Sequence, residues 1–349
     1  MRVTRLIRAL ITAAIIFVLL AAGRLAYDCF APGETFVEPR IVSIDRGDSL
    51  TTVAHRLAQA GVVRSARATV LFAELTGAGR NLKPGEYEFR GGERIADVLR
   101  HLVNGDFIVV TVTIPEGSTV VQIAARLQDV GLVCDRQFED AAYYGSAPQA
   151  LGLEPLGVEG YLFPATYRFA PHAGINQILT AMLTRSYAML TPQVEQRLFD
   201  LHMSSHDLMT LASIIEKEAK VPGERPTIAS VFYNRLRLGM PLQSDPTAQY
   251  NPAGETQPAA AAVHAASAFN TYFFAGFPPG PIANPGTSSI MAALYPAQTD
   301  YLYFVARDDG THIFSRTLRQ QERAIGLIKR LNALDKHVAG MTAIPAARN

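Results

Sequence analysis

Two glutamates stand two positions apart in SIIEKEA, residues 213–219, where the apolar spacing predicts a helix. At about 100° per residue, Glu218 falls on the apolar stripe of Leu211 and Ile215, and Glu216 falls on the far side. A carboxyl group on a core-facing stripe loses hydration, which raises its pKa toward what a general acid needs near neutral pH. The pattern therefore predicts that Glu218 faces the protein and Glu216 faces water. A salt bridge, or a frayed last turn that lets Glu218 reach solvent, is the alternative left open.

Other candidate groups give weaker signals. Asp245 in LQSDPTAQY could be the second carboxylate of an acid–base pair, or it could only form a turn before Pro246. His202 and His206 have the i, i+4 spacing of metal ligands, but the sequence places no third ligand near them. The chain contains no phosphate-binding loop, no dinucleotide fingerprint and no serine-nucleophile motif. The sequence therefore predicts neither a metal nor a cofactor.

The elements that must position these residues can be predicted in outline. Residues 173–220 have a helical pattern, and 224–238 form the next helix, which begins near a proline and ends at a glycine. The irregular stretch 240–288 is long and carries few charges, which is typical of a functional loop. A hairpin is predicted to turn at residues 308–310, and a closing helix follows it.

An internal repeat precedes this region. RGDSLTTVAHRLAQAGVV (46–63) and EGSTVVQIAARLQDVGLV (116–133) align at an offset of 70 residues, and each predicts a capped helix that stops at a glycine. The strand and helix signals around the first copy resemble LysM-like modules, which bind cell-wall glycan. A plain scaffold domain with the same elements is the alternative.

The N-terminal residues predict a membrane anchor. Arg2, Arg5 and Arg8 precede the apolar run of residues 9–23, and Arg24 follows it. Such a run fits an uncleaved single span whose basic end is cytoplasmic. The net charge of +1 gives no electrostatic reason to expect a nucleic-acid partner.

Four segments resemble the YceG-like family: LASIIEKEA, IASVFYNRLRLGMPLQSDPTAQY, FNTYFFAGFPPGPIANPG and YLYFVARDDGTHIFSRT. The resemblance runs from the N-terminal apolar stretch to near residue 325. It implies an endolytic murein transglycosylase, a lyase that cuts the MurNAc–GlcNAc β-1,4 bond within nascent peptidoglycan. In that reaction the C6 hydroxyl of MurNAc attacks C1 and leaves a 1,6-anhydroMurNAc end. The resemblance also implies that the second glutamate of E-K-E, Glu218, is the catalytic residue, first as acid and then as base. A hydrolase using Glu218 and Asp245 and a non-catalytic wall-binding scaffold remain as alternatives.

Further site residues follow from their chemistry, with the resemblance as support. The predicted sugar contacts are Gln243, Ser244, Asp245, Asn270, Thr271 and Tyr272. Tyr161 and Tyr250 are the predicted stacking platforms in a chain without tryptophan, and Glu159 is expected to orient a partner group. Asn234 and Arg235 are expected to brace the site. Residues 251–268 depart from the family pattern because they are rich in alanine, which leaves their part in substrate contact open.

The predicted fold class is α+β, with an N-terminal membrane anchor, a LysM-like α/β subdomain and a mixed α+β catalytic domain. The predicted segments are a cytoplasmic tail (1–8), a transmembrane helix (9–27), a linker (28–40), the LysM-like subdomain (41–106), the catalytic domain (107–335) and a loose tail (336–349). Expected partners are glycan strands, the bacterial cytoplasmic membrane and, from the resemblance, wall synthases, with the catalytic domain on the extracytoplasmic side. The oligomeric state, the strand-length preference and any pairing of Cys29 with Cys134 stay open.

Overall fold

The computed structural model describes residues 2–153, 157–252 and 259–342. The chain divides into two compact units. The first contains residues 1–110 and 168–172, and the second contains residues 111–167 and 173–349. Helices and short two-stranded sheets build both units, so the fold is mixed α+β.

The first unit begins with helix α1 (Arg2–Phe30). Its stretch Ile11–Phe30 has a mean hydropathy of 1.8 and is 11% buried, so it is long and apolar enough to cross a membrane. The helix continues past residue 27, and a strand begins at Thr35. The expected linker of residues 28–40 is therefore wrong over most of its length. Cys29 and Cys134 are both free thiols.

The remaining elements of the first unit are β1 (Thr35–Ile44), α2 (Leu50–Gln59), α3 (Ala66–Thr76), β2 (Gly85–Gly91) and α4 (Ile95–Asn104). Strands β1 and β2 pair antiparallel, with Val42 opposite Tyr87. Tyr87 and Phe89 are buried on one side of β2 and pack with the apolar faces of the helices. Alternation along the strand thus supplies one wall of a small core.

The chain continues with β3 (Val110–Thr113), α5 (Val120–Asp129), α6 (Asp135–Tyr144), α7 (Ser146–Ala150) and β4 (Thr166–Phe169). Helices α8 (Ile175–Tyr187), α9 (Pro192–Leu201), α10 (Ser205–Glu218), α11 (Arg225–Arg237), α12 (Asp245–Gln249), α13 (Ala259–Ala262) and α14 (Thr287–Leu294) follow. The chain ends with β5 (Tyr303–Ala306), β6 (His312–Ser315) and α15 (Leu318–Thr342).

The repeat predicted from the sequence is confirmed in the backbone. Helices α2 and α5 have equal lengths, and their bounds differ by 70 residues at both ends. Ser49 and Thr119 are the matching N-caps, since each side chain accepts a backbone N–H three residues ahead. Gly61 and Gly131 follow the two helices with φ of +69° and +73°, the left-handed region that glycine adopts without strain.

The predicted hairpin is also confirmed, since β5 and β6 pair antiparallel across a turn at Gly310, whose φ is +83°. The helical region expected over 173–220 consists of three separate helices, α8, α9 and α10. Thr191 and Ser204 each cap a new helix start within it, which explains the breaks. Helix α15 continues to Thr342, into the segment expected to be a loose tail, while residues 343–349 lie outside the described residues.

Helix α10 lies at the centre of the second unit. A capping box formed by Ser204 and Asp207 fixes its start. Eight consecutive residues, Leu208 to Ile215, are buried, so both sides of the helix contact protein. A helix that is buried all round does not divide its residues into a wet side and a dry side. This burial decides where the two glutamates at its end lie.

Candidate active site

Glu218 is the last residue of α10, and its side chain is half-buried. The Ser244 hydroxyl donates a hydrogen bond to Glu218 Oε1 at 2.6 Å. Desolvation by burial raises the pKa of Glu218 from 4.5 to about 7, and the charge of Asp245 acts in the same direction, while the Ser244 bond opposes it. The prediction that Glu218 faces the protein is confirmed. Near neutral pH this carboxyl group exists in both protonation states, as a group that gives and then takes a proton requires.

The Ser244 hydroxyl is held in place by an interlock of two loop segments. The Gln243 N–H donates to the Thr271 carbonyl at 3.1 Å, and the Ser244 N–H donates to Thr271 Oγ1 at 3.2 Å. Thr247 Oγ1 lies 2.8 Å from Thr271 Oγ1. The motifs LQSDP and FNTY, far apart in sequence, are therefore one rigid structure around the carboxyl group.

Gln243 has a φ of +53°, which is unusual for a residue other than glycine. Arg235 Nη1 donates to Gln243 Oε1 at 2.9 Å and to the carbonyls of Pro241 and Leu242 at 2.9 and 3.1 Å. Arg235 Nε also donates to the Leu302 carbonyl at 2.6 Å. The predicted bracing role of Arg235 is confirmed. Gln243 itself is exposed, so a strained backbone presents this amide at the surface.

Asp245 begins the short helix α12 beside Glu218 and is exposed. The Tyr272 hydroxyl donates a hydrogen bond to Asp245 Oδ1. Burial and this bond raise the pKa of Tyr272, so the phenol stays protonated as a donor. Asp245 is thereby tied to the same loop that holds Ser244, and its charge acts on Glu218.

Glu216 does not face water, and that prediction is wrong. Its side chain is 6% exposed and forms an ion pair with Arg225 at 3.0 Å. Its second oxygen accepts the N–H of Gly286 at 3.0 Å, and Arg225 Nε donates to Ser289 Oγ at 2.9 Å. Neighbouring elements cover the side of α10 that the apolar pattern left for solvent. Glu216 therefore holds the end of α10 against α11 and the start of α14.

Ser244, Asn270 and Thr271 have side chains too buried for the direct sugar contacts predicted for them. Asn270 and Thr271 are 0% exposed and Ser244 is 1% exposed. Asn270 Nδ2 donates to backbone carbonyls of Ala262 and Ala265 at 3.1 and 2.9 Å. These three side chains shape the loops instead. Of the alanine-rich segment 251–268, residues 253–258 lie outside the described residues.

Glu159 is also buried, at 3% exposed, so it is not a direct sugar contact. It accepts the Val120 N–H at the start of α5, the Asn284 side-chain amide at 2.8 Å and the Tyr250 hydroxyl at 3.3 Å. Desolvation raises its pKa to about 7, against the lowering effect of these donors. Glu159 thus ties together α5, the Asn284 loop and Tyr250. Asn284 was missed as a site residue, although it is a lone polar side chain in the apolar run PIANP.

The two predicted stacking platforms differ in how their rings are packed. Tyr161 is buried and stacks with Tyr187 and His206 at centroid distances of 6.4 Å each, and its hydroxyl meets His206 Nδ1 at 3.0 Å. Tyr250 packs edge-on against Phe269 at 4.8 Å. The Tyr161 ring is thus enclosed by other rings, which argues against its use as a platform. Tyr250 is half-buried, and its use as a platform stays a prediction.

Two neighbouring cavities lie in the second unit near these residues. One of about 240 Å³ is lined by Lys217 and Pro246, the chain neighbours of Glu218 and Asp245. Another of about 310 Å³ is lined by Glu159 and Tyr161. Tyr250 lines both cavities. Glu218 itself lines neither of these two cavities, and its chain neighbour Lys217 lines the smaller one.

Several known proteins are similar to this chain. The sequence model of the YceG-like family matches residues 42–326. An endolytic murein transglycosylase of Bacillus subtilis (strain 168) is 34% identical over 303 residues, which cover 81% of this chain and 83% of that protein. An endolytic murein transglycosylase of Streptococcus pneumoniae serotype 2 is 30% identical over 297 residues, covering 76% of this chain and 54% of that protein. The crystal structure of a YceG-like protein from Listeria monocytogenes, 32% identical, matches with a TM-score of 0.57 over 83% of this chain and 100% of that one. The chain therefore belongs to the YceG-like family.

Proposed function

We propose that this chain is an endolytic murein transglycosylase that cuts the MurNAc–GlcNAc β-1,4 bond within nascent peptidoglycan and so ends strand elongation. One observation carries the proposal. Glu218 is half-buried, its pKa is raised to about 7, and the hydroxyl of the buried Ser244 donates a hydrogen bond of 2.6 Å to its Oε1. The curated relatives that share these segments are named endolytic murein transglycosylases.

The reaction needs one carboxyl group in two roles. Protonated Glu218 gives its proton to the glycosidic oxygen as the bond from that oxygen to MurNAc C1 breaks. The C6 hydroxyl of MurNAc then bonds to C1, and the Glu218 carboxylate takes the hydroxyl proton, which restores the acid. No water enters, and the products together have the mass of the substrate. Because Ser244 donates to Oε1, the transferable proton resides on Oε2.

The exposed groups around Glu218 are the proposed sugar contacts. Gln243 and Asp245 are exposed, and Tyr272 is half-buried beside them. An amide, a carboxylate and a phenol offer the donors and acceptors that sugar hydroxyl and N-acetyl groups need. Arg235 and the Tyr272–Asp245 hydrogen bond fix the positions of these side chains, so they lose little conformational entropy when substrate binds.

A hydrolase that uses Asp245 as its second carboxylate is the rival function. The phenol of Tyr272 already occupies Asp245 Oδ1, which favours a positioning and electrostatic role for this acid. Burial makes the charged form of Glu218 costly and raises its pKa to about 7. A non-catalytic scaffold would not need such a carboxyl group.

Helix α1 is the proposed anchor in the bacterial cytoplasmic membrane. Its apolar stretch Ile11–Phe30 follows three arginines, and this charge pattern supports a cytoplasmic N-terminus with the rest of the chain on the outer side. There the enzyme would work beside wall synthases, the partners that the family resemblance suggests. In the first unit, the order β1, α2, α3, β2 with an antiparallel pair supports a LysM-like, glycan-binding role.

Product mass tests the proposal. The full-length protein in detergent is incubated with uncrosslinked glycan strands, and the new ends are weighed by mass spectrometry. Anhydro ends, without added water, are expected from the wild type and are expected to be absent with Glu218→Gln. Ends that carry the mass of an added water would establish the hydrolase instead, and uncut strands with intact binding would establish the scaffold.

A further inference from the structure

The cavity of about 310 Å³ in the second unit has no role in the chemistry of Glu218, which is not among its lining residues. Aromatic and polar side chains line it, among them Tyr143, Tyr144, Tyr161, Tyr250, Phe269 and Glu159. Its volume is near the lower limit of the range of roughly 300–1,000 Å³ found for small-molecule pockets. A cavity of this size suits a single ring with its substituents.

One ring in this lining is free to receive a ligand. Tyr144 ends α6 and is 74% exposed, in contrast with Tyr161, which is buried between Tyr187 and His206. An exposed tyrosine at the rim of a cavity presents a flat apolar face with a polar tip. Sugar rings pack their C–H faces on such surfaces. Neither Tyr144 nor its neighbour Tyr143 was indicated by the sequence pattern.

The polar groups in the cavity indicate an uncharged, hydroxyl-rich ligand. The Tyr143 hydroxyl is buried and has no partner at regular hydrogen-bonding geometry among the residues that the structure describes, although Tyr250 and Glu159 lie close enough to act on its pKa. Both oxygens of Glu159 already accept N–H or O–H donors, and burial raises its pKa to about 7. The carboxyl group is therefore poorly suited to pairing with a cation, whereas Tyr143 is available to a hydroxyl or amide group.

The cavity lies next to a second cavity that is lined by a chain neighbour of Glu218. Tyr250 and Asn251 line both this cavity and the cavity of about 240 Å³ that Lys217 and Pro246 also line. Lys217 directly precedes Glu218, and Pro246 directly follows Asp245. A linear ligand that passes over Tyr250 could occupy both cavities at once.

We propose that the Tyr143–Tyr144 cavity is a remote sugar subsite, which holds one N-acetylhexosamine ring of the same glycan strand that Glu218 cuts. This inference rests on the proposed function, because the strand is its substrate. In this arrangement Tyr144 stacks on the ring and the Tyr143 hydroxyl bonds one of its polar substituents. Long strands reach the subsite and short ones do not, so binding through the subsite favours long strands.

Binding without cleavage tests the subsite. Full-length Glu218→Gln protein in detergent is titrated with peptide-free GlcNAc–MurNAc strands, from a single disaccharide to long strands. Tyr144→Ala is added to this background, and Phe199→Ala is the matched control, since Phe199 is equally exposed at 74% and does not line the cavity. Tyr144→Ala is expected to weaken long-strand binding by roughly 2- to 10-fold and to leave the disaccharide unaffected. Phe199→Ala is expected to change neither.

Tyr143→Phe is the second variant, and it removes only the hydroxyl. It should also weaken the binding of long strands, with a melting temperature no lower than that of the parent protein. If neither variant weakens that binding, or if Phe199→Ala weakens it as much as Tyr144→Ala, the subsite is refuted. Because no bond is cut here, that outcome leaves the product-mass test of the proposed function untouched.

Discussion

The Ser244 hydroxyl donates a hydrogen bond of 2.6 Å to Glu218 Oε1 at the carboxyl end of α10. Ser244 is itself fixed by Thr271, so the donor cannot turn away. This bond stabilises the charged form of the carboxyl group, whereas burial and the charge of Asp245 stabilise the neutral form. The balance of opposing influences keeps the pKa near 7 and not higher. Two substitutions should therefore move it in opposite directions.

Replacing Ser244 with alanine should raise the pKa of Glu218 above its present value of about 7, because the donor that lowers it is lost. A higher pKa keeps the acid protonated over a wider range, so the basic limb of the kcat/KM profile should move to higher pH. Activity at the optimum should also fall, since the carboxyl group loses a fixed orientation. Ser288→Ala, an exposed change on α14, is the control and should leave the profile in place. A Ser244→Ala limb at unchanged or lower pH would contradict the assignment.

Replacing Asp245 with asparagine should have the opposite effect on the same limb. The Asp245 charge raises the pKa of Glu218, and asparagine removes the charge while keeping an acceptor for the Tyr272 hydroxyl. The basic limb should move to lower pH, and the products should remain anhydro ends. The measurement is a pH profile combined with product masses. Complete loss of cleavage with normal strand binding would instead favour Asp245 as the second carboxylate of a hydrolase.

The orientation of Glu218 could be predicted from sequence because it depends on local geometry. A single acidic residue on a stripe with Leu211 and Ile215 has to meet protein, whatever the rest of the fold does. The orientation of Glu216 could not be predicted in this way. Its burial depends on Arg225 and on the Gly286 N–H, groups 9 and 70 residues further along the chain. Periodicity gives the side of a helix but not whether another element covers that side.

The same distinction explains the loop residues. Polar residues in LQSDP and FNTY could be predicted to belong to a site, since loops of this length with few charges are usually functional. Which of them touch substrate depends on the interlock between Ser244 and Thr271, a contact across 27 residues. The repeated helices α2 and α5 were predictable because their caps and stop glycines act within a few residues of each helix.

Replacing Glu216 with glutamine should destabilise the protein strongly, because it leaves the Arg225 charge buried without its partner. Breaking one side of a buried ion pair costs about 3–5 kcal/mol, and both side chains here are 10% exposed or less. Denaturant unfolding measures the change. Lys217→Gln, an exposed substitution next in the chain, should stay within about 0.5 kcal/mol of the wild type.

A double variant tests whether the lost stability comes from the broken Glu216–Arg225 ion pair or from altered packing around these two side chains. Glu216→Gln combined with Arg225→Gln removes both charges and should lose less stability than the sum of the two single changes. Equal stability of Glu216→Gln and the wild type would mean that the ion pair with Arg225 does not form in solution.

Replacing Glu218 with glutamine should stabilise the fold, and the gain should depend on pH. The pKa of Glu218 is raised to about 7 in the folded protein from an ordinary value of 4.5. A carboxyl group of this kind contributes most to stability below pH 4.5, where it is neutral in both states, and this contribution is lost as the pH rises through 7. Glutamine never ionises. Below pH 4.5 the free energy of unfolding of the variant should therefore change with pH as that of the wild type does, and above about pH 7 the variant should be the more stable protein.

The limit of this gain is roughly 3 kcal/mol for a shift of this size, and solvent contact of the half-buried side chain should reduce it. Chemical unfolding at several pH values between 4 and 8 gives the difference curve directly. Glu322→Gln, on the exposed face of α15, makes the same chemical change outside the site and should track the wild type. A Glu218→Gln protein that is no more stable than the wild type at pH 8 would show that the carboxyl group is freely hydrated, and it would then lack the raised pKa on which its acid role depends.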